Sequence, residues 1–226
     1  MKTKITYFTI LASAIMATTD VNAQFLRIKG GMNLSNMIVE DNDITYSKDF
    51  KNRVGYQLGV TIQSESDKMV SFEGGLNIGT RGFDYTESVV FEGISMKVEQ
   101  KMKLLYLTVP LTAKATVDLG NAKLYAALGP YLALGLQGEV WTKVSAGALS
   151  EETTEDISWG TDENDNDLMR FDGGVHLGFG LEYKNVELGV EYDYGVANIS
   201  PYTENGTKIS NKNIGITLAY KILGGF

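Results

Sequence analysis

The residues best placed to do chemistry lie between Met169 and Val196. From Met169 to Tyr183, apolar residues alternate with charged residues, Gly and His176, the one histidine of the chain. After Lys184-Asn185 the phase flips, with Val186, Leu188, Val190, Tyr192, Tyr194 and Val196 apolar and Glu187, Glu191 and Asp193 between them. Alternate side chains of a strand point to opposite faces, and residues flanking a two-residue turn pair directly. Tyr183 therefore faces Val186, Glu182 faces Glu187, and His176 faces Asp193. A His–Asp pair has the makings of a general base and its orienting group. No serine lies on either strand of this hairpin, so the pair reads as structural, and no residue of the chain is assigned a catalytic, cofactor-binding or metal-binding role. Two carboxylates opposed in a confined space repel unless cations neutralise them. Lys221 near the C-terminus, with Arg27 and Lys29 near the mature N-terminus, should lie at the same height. The expectation is an interior network of Glu182, Glu187, Lys221 and Arg27 or Lys29, beside the His176–Asp193 pair.

Other motifs are weaker. Ser145 to Leu168 holds eight carboxylates and no Lys or Arg, and its core, Asp162-Glu163-Asn164-Asp165-Asn166-Asp167, has the acid density of a calcium loop. An EF-hand would want Gly at the sixth position and Glu at the twelfth, where Asp167 and Gly173 stand. A solvated acidic loop is the simpler reading. There is no cysteine, which excludes a disulfide framework and a lipid-anchoring thiol. Lys2 and Lys4, an apolar run from Ile5 to Ala17, and Val21-Asn22-Ala23 mark residues 1–23 as a secretory signal peptide cut before Gln24. Residues 24–226 then form one domain. Removing Lys2, Lys4 and Asp20 leaves 18 basic against 27 acidic residues, a formal charge of −9, from 20 and 28 in the whole chain. That balance argues against nucleic acid as a partner.

The elements that must position these side chains all alternate with period two. Leu26, Ile28, Met32 and Leu34 oppose Arg27, Lys29, Asn33 and Ser35 in the first strand. Similar runs follow at Val54–Gln63, from Val70, from about Val98 to Val117, from Leu124 to about Val140, along the two arms of the hairpin above, and from Ile214 to Ile222. Eight strands result, with connections that alternate long and short. Polar segments near 36–53, 84–98, 145–168 and 199–211 are the long ones. This predicts an all-β, eight-stranded, antiparallel, up-and-down transmembrane β-barrel with short periplasmic turns, long extracellular loops and both termini periplasmic. A soluble calyx would point its apolar side chains inward. Here the polar face carries Gly174, Gly178, Gly180, Gly189, Gly195 and Gly215, which suits a bore just wide enough for side chains. Glu73, Arg81, Lys114, Arg170, Asp172 and Glu191 should also point inward. Phe83 and Tyr85 fall out of phase, predicting a bulge near Gly82. Pro110 and Pro130, lacking ladder donors, predict a local disturbance between the fourth and fifth strands. Trp141, Trp159 and Tyr202 are expected in an interfacial aromatic girdle.

The sequence resembles the PorT-like outer-membrane β-barrel proteins of Gram-negative bacteria across the mature chain. The resemblance rests on Ile28-Lys29-Gly30-Gly31-Met32-Asn33-Leu34-Ser35-Asn36, Tyr106-Leu107-Thr108-Val109-Pro110-Leu111, Gly129-Pro130-Tyr131, Asp172-Gly173-Gly174, Tyr192-Asp193-Tyr194-Gly195 and a terminal aromatic. It implies location in the bacterial outer membrane, contact with its lipid, and insertion by the outer-membrane assembly machinery, with Phe226 as part of the assembly signal. The function these readings favour is a non-enzymatic barrel, its interior packed and salt-bridged, with acidic extracellular loops for a partner not yet identified or for envelope structure. An accessory role in protein secretion across the outer membrane and a narrow passive channel are the alternatives.

Overall fold

A backbone N–H or C=O in hydrocarbon has no water to bond, so strands can cross a membrane only as a closed ring. The computed structural model, which describes residues 25–64, 69–91, 94–147 and 149–223, contains such a ring. Its strands are β1 (Phe25–Glu40), β2 (Lys51–Gln63), β3 (Val70–Phe91), β4 (Ile94–Asp118), β5 (Lys123–Ala146), β6 (Leu149–Asp156), β7 (Phe171–Tyr183), β8 (Val186–Gly195) and β9 (Lys208–Leu223). Eight of them pair antiparallel in the order β1-β2-β3-β4-β5-β7-β8-β9, and β9 closes the ring on β1 from Leu26↔Leu223 to Glu40↔Lys208. The ninth, β6, pairs with β5 alone. The expected signal peptide, its expected cleavage point and Phe226 lie outside the described residues.

The ring is inside-out relative to a soluble protein. Met32 is 65% exposed and Phe72 70%, while Arg27 is 2% exposed and Lys114 1%. Ile28, Leu58, Leu132, Val190 and Ile216 join the exposed apolar face; Lys29, Thr61, Thr112, Asn213 and Thr217 join the buried polar one. That arrangement suits lipid outside and a packed polar bore, and it rules out the calyx reading.

At one end, the turn end, the two fully described connections are tight and both described chain ends are found. Leu119 donates to the Ala122 carbonyl at 2.8 Å between β4 and β5. Lys184 takes a φ of 54°, which the first central residue of a two-residue hairpin needs. The hairpin register read from the sequence is the observed one, with Tyr183↔Val186, Glu182↔Glu187 and His176↔Asp193.

At the far end the strands run past the expected loops. β3 and β4 stay paired to Phe91↔Ile94, and β4 and β5 to Met96↔Ala146. Residues 84–91, 94–98 and 149–156 are therefore strand, and among the described residues the count is nine rather than eight. Outside hydrocarbon a strand needs no alternation of apolar and polar faces, only a partner. The sequence Leu-Ser-Glu-Glu-Thr-Thr-Glu-Asp of β6 offers no such pattern, and all its residues are exposed.

Two irregularities have local causes. The β2–β3 register shifts between Asn52 and Gln57, opposite Gly82, whose φ of 140° and lack of a Cβ let the chain pass the Met102 carbonyl. Phe83 keeps the inward phase of Asn77 and Arg81, since the β3–β4 register runs unshifted past Gly82, and in the bore it stacks on Phe50 with ring centroids 4.0 Å apart. Between β4 and β5 the ladder is interrupted from Pro110↔Tyr131 to Ala113↔Leu128 without a change of register. The shift in that seam falls elsewhere, between Leu105 and Tyr106. The disturbance at the prolines is thus a gap in hydrogen bonding, as a missing N–H requires, and not a bulge.

Candidate functional site

Eight strands leave a bore narrow enough for side chains on opposite walls to meet. Nearest the turn end, Arg27 of β1 and Lys114 of β4 share three carboxylates. Lys114 Nζ lies 2.5 Å from Glu182, 2.6 Å from Glu187 and 3.8 Å from Glu73. The Arg27 guanidinium lies 3.2 Å from Glu182, 3.5 Å from Glu187 and 3.6 Å from Glu73, and also donates to Gln63. Tyr125 crosses from β5 with its ring 3.9 Å from Lys114 Nζ. Gly180 on β7 makes room for it, since a Cβ there would come within 2.7 Å of the Tyr125 ring.

One level up, Lys29 meets Glu191 at 2.7 Å, and Gln57 and Thr217 donate to the same carboxylate at 3.1 and 3.4 Å. Above that, Arg81 of β3 reaches across to Asp172 of β7 at 2.7 Å and Asp193 of β8 at 3.4 Å. Its guanidinium sits 5.1 Å from the centroid of the Tyr106 ring and 5.0 Å from that of Tyr131, within cation–π range of both. His176 Nδ1 is 2.6 Å from Asp193 Oδ1. Thr108 lines the same cavity but is bonded to Arg81, so among the described contacts no hydroxyl is hydrogen-bonded to the imidazole. The cavity between these levels is about 20 Å3, lined by Asn33, Asn77, Arg81, His176, Glu191 and Asp193 among others. That is room for about one water.

Beyond Tyr106 and Tyr131 the bore changes character. Met37, Phe83, Leu104, Ile157, Leu168 and Ile199 close it with a buried apolar cluster, drawing in residues of the 157–170 and 196–207 connections. Trp159 packs edge-on against Tyr106 at 5.8 Å and over Gly135, where a Cβ would strike its ring.

Arg27, Lys29, His176, Glu182, Glu187 and Asp193 therefore all line the bore, but at separate heights. Lys221 does not join them. It pairs in register with Arg27, yet sits below Glu187, whose β9 partner is Ala219, and its ammonium lies 3.8 Å from the centre of the Phe25 ring. Arg27 already occupies the nearby carboxylates, and like charge keeps Lys221 at the mouth. Arg170 also departs from expectation. β7 begins at Phe171, leaving Arg170 exposed and bonded to the Gly135 carbonyl at 3.2 Å. Nor do the expected girdle residues form one: Trp159 is part of the plug, and Tyr202 is an exposed loop residue bonded to Glu204 at 3.1 Å. Trp141 stays on the outward face, stacked under Lys101 at 4.8 Å.

The projecting strands carry paired surface charges. Lys143 donates to Glu152 at 2.6 Å, which holds the Glu152 carboxyl below its ordinary pKa and raises that of Lys143. In the loop beneath β6, Asp162 Oδ1 accepts from the Asn164 N–H at 3.1 Å and Asp167 Oδ2 from the Ser158 N–H at 2.7 Å. These acids are engaged in shaping their own loop.

The family model for the outer membrane protein beta-barrel domain matches residues 22–200. The chain belongs to this family. As an outer membrane protein β-barrel domain, it resides in the outer membrane, and its exposed apolar belt is the lipid-facing surface of the ring. Solved structures to which the chain is similar include OprG from Pseudomonas aeruginosa, at 12% identity and a TM-score of 0.44, covering 88% of this chain and 96% of that one. Neisserial surface protein A shares 12% identity with a TM-score of 0.41 over 89% and 99% of the two chains. Ail of Yersinia pestis, solved with the heparin analogue sucrose octasulfate, shares 16% with a TM-score of 0.38 over 88% and 99%. No curated protein sequence matches this outer-membrane barrel chain.

Proposed function

We propose that this barrel is a non-enzymatic outer-membrane protein whose bore is sealed and whose contacts are made by the strands and loops projecting from the far end. In this reading the turn end and both termini are periplasmic, and insertion uses the outer-membrane assembly machinery, with Phe226 in its signal. The observation that carries it is the double closure of the bore: ion pairs crossing it from Arg27 to Arg81, then the apolar cluster around Tyr106 and Trp159. The cavity between the charged levels is about 20 Å3, room for about one water, which supports a bore closed to hydrated ions. The purified barrel in planar lipid bilayers should give no stepwise single-channel current. Reproducible conductance steps that vanish with heat-denatured protein would overturn the reading in favour of a narrow passive channel.

The resemblance to PorT-like barrels supports a second reading, an accessory part in protein secretion. Deletion of the coding sequence followed by assay of exported proteins separates the two, since a sealed barrel that acts through its projecting loops leaves export unchanged.

A further inference from the structure

We infer that the free edge of β6 is a docking site for an extended, lysine- or arginine-bearing strand of a partner protein, which joins the projecting sheet by β-augmentation. The inference deepens the proposed function and rests on its view that the far end faces outward.

β6 pairs with β5 through every position from Glu139↔Asp156 to Ala146↔Leu149, and among the described residues no strand pairs with its other side. β7 takes the place beside β5 only from Leu134↔Phe171 downward, so the edge stands clear of the barrel. An unpaired edge presents a row of N–H and C=O groups that template another strand. Natural edges are commonly blocked by proline, a bulge, a lysine or a covering loop. β6 has neither proline nor lysine, its register is unbroken, and all of it is exposed. Two adjacent threonines, Thr153 and Thr154, suit an extended backbone.

Charge selects the occupant. Glu151 and Glu155 share one face of β6, and Glu152 and Asp156 share the other. Glu152 is taken by Lys143, which leaves Glu151, Glu155 and Asp156 without an ion pair among the described residues. Below them Asp162, Glu163, Asp165 and Asp167 add to the same negative field. A second copy of β6 laid on this edge would bring four more carboxylates and no cation, which adds to the repulsion instead of relieving it. A strand with cations opposite Asp156, Glu155 and Glu151 would pair all three. Since every pairing of named strands is antiparallel, the fitting sequence reads lysine, lysine, three residues of which β-branched ones pack best, then lysine.

The test uses the full-length barrel in lipid nanodiscs and two synthetic peptides. One is lysine–lysine–valine–threonine–valine–lysine; the other has the same charges with proline at the two valine positions. Amide hydrogen exchange should slow over residues 149–156 with the first peptide and not with the second, and added salt should reverse the protection. The doubly substituted variant E151K/E155K, folded as judged by heat-modifiable gel migration, should bind the first peptide on the order of tenfold more weakly. It should bind a glutamate version of that peptide instead. Equal protection by the proline peptide would reduce the effect to general electrostatics and overturn the inference. Absence of protection by either at millimolar concentration would overturn it as well. Neither result bears on the sealed bore or on sidedness. Surface labelling of a Ser158→Cys variant in intact cells tests sidedness separately, and periplasmic placement would sink the proposed function too.

Discussion

In the half of the bore next to the short turns, Arg27, Lys114 and their carboxylates reach across from facing walls. In the other half, rings and branched side chains fill the space, and two long connections fold in to complete the filling. The same strands line both halves. What differs is the source of the closing groups. The charged half is closed by residues already on the barrel walls, so its stability is inseparable from that of the ring. The apolar half borrows Ile157, Trp159, Leu168 and Ile199 from outside the ring. Its closure can be lost while the barrel persists.

The largest effect should come from the residue on which the charged half converges. Lys114→Met leaves Glu182 and Glu187 opposed with only Arg27 between them. Removing one partner of a buried ion cluster costs about 3–5 kcal/mol. Urea unfolding in detergent micelles should show that loss, whereas Lys221→Met should change stability by about 0.5 kcal/mol or less. Equal losses for the two would mean that charge at the mouth, rather than contact across the bore, holds this half together.

That contrast also marks where sequence reading succeeded and where it stopped. Alternation over Met169 to Val196 is enough to fix the hairpin register and its two faces, because lipid imposes a strict two-residue period, and the glycines of the polar face tell which of the two points inward. Neighbouring strands could likewise be inferred, which is why Lys221, next to β8 on β9, looked like the natural counter-ion. Lys114 sits three strands from β8 around the ring, and Arg81 four. Their contacts depend on bore width and side-chain reach, neither of which alternation encodes. The apolar plug was hidden for a related reason. Ile157, Trp159 and Leu168 lie in a segment dominated by acids, with no period to say that three of its residues turn inward. β6 was invisible because a solvated strand held by one neighbour needs no apolar face.

A smaller and more local effect is expected from the apolar half. Trp159→Ala removes the ring packed on Tyr106 and Gly135, a change worth about 3 kcal/mol where the site cannot collapse. Because the lost contacts belong to a connection, amide exchange should quicken over residues 157–170 while β7 and β8 below Arg81 stay protected. If exchange rises equally through Glu182 and Glu187, the two closures form one cooperative unit and the distinction between them fails.

The smallest effect tests whether the charged half is balanced. Among its three carboxylates, Glu73 has the poorest contacts: its nearest cations are at 3.6 and 3.8 Å, and its Oε2 has no hydrogen-bond partner in the structure. Two cations already face Glu182 and Glu187 at shorter range, so the third carboxylate adds repulsion against those acids with little attraction to offset it. Glu73→Gln keeps the shape, removes that repulsion, and leaves an amide able to bond the same groups. Its stability should lie within about 1 kcal/mol of the parent, on the stabilising side if on either. Glu187→Gln, which weakens the 2.6 Å contact with Lys114, should destabilise by more. The difference between those two substitutions measures the ordering directly. Were Glu73→Gln as costly as Glu187→Gln, all three carboxylates would share the two cations evenly, and distance would be a poor guide to strength inside this bore.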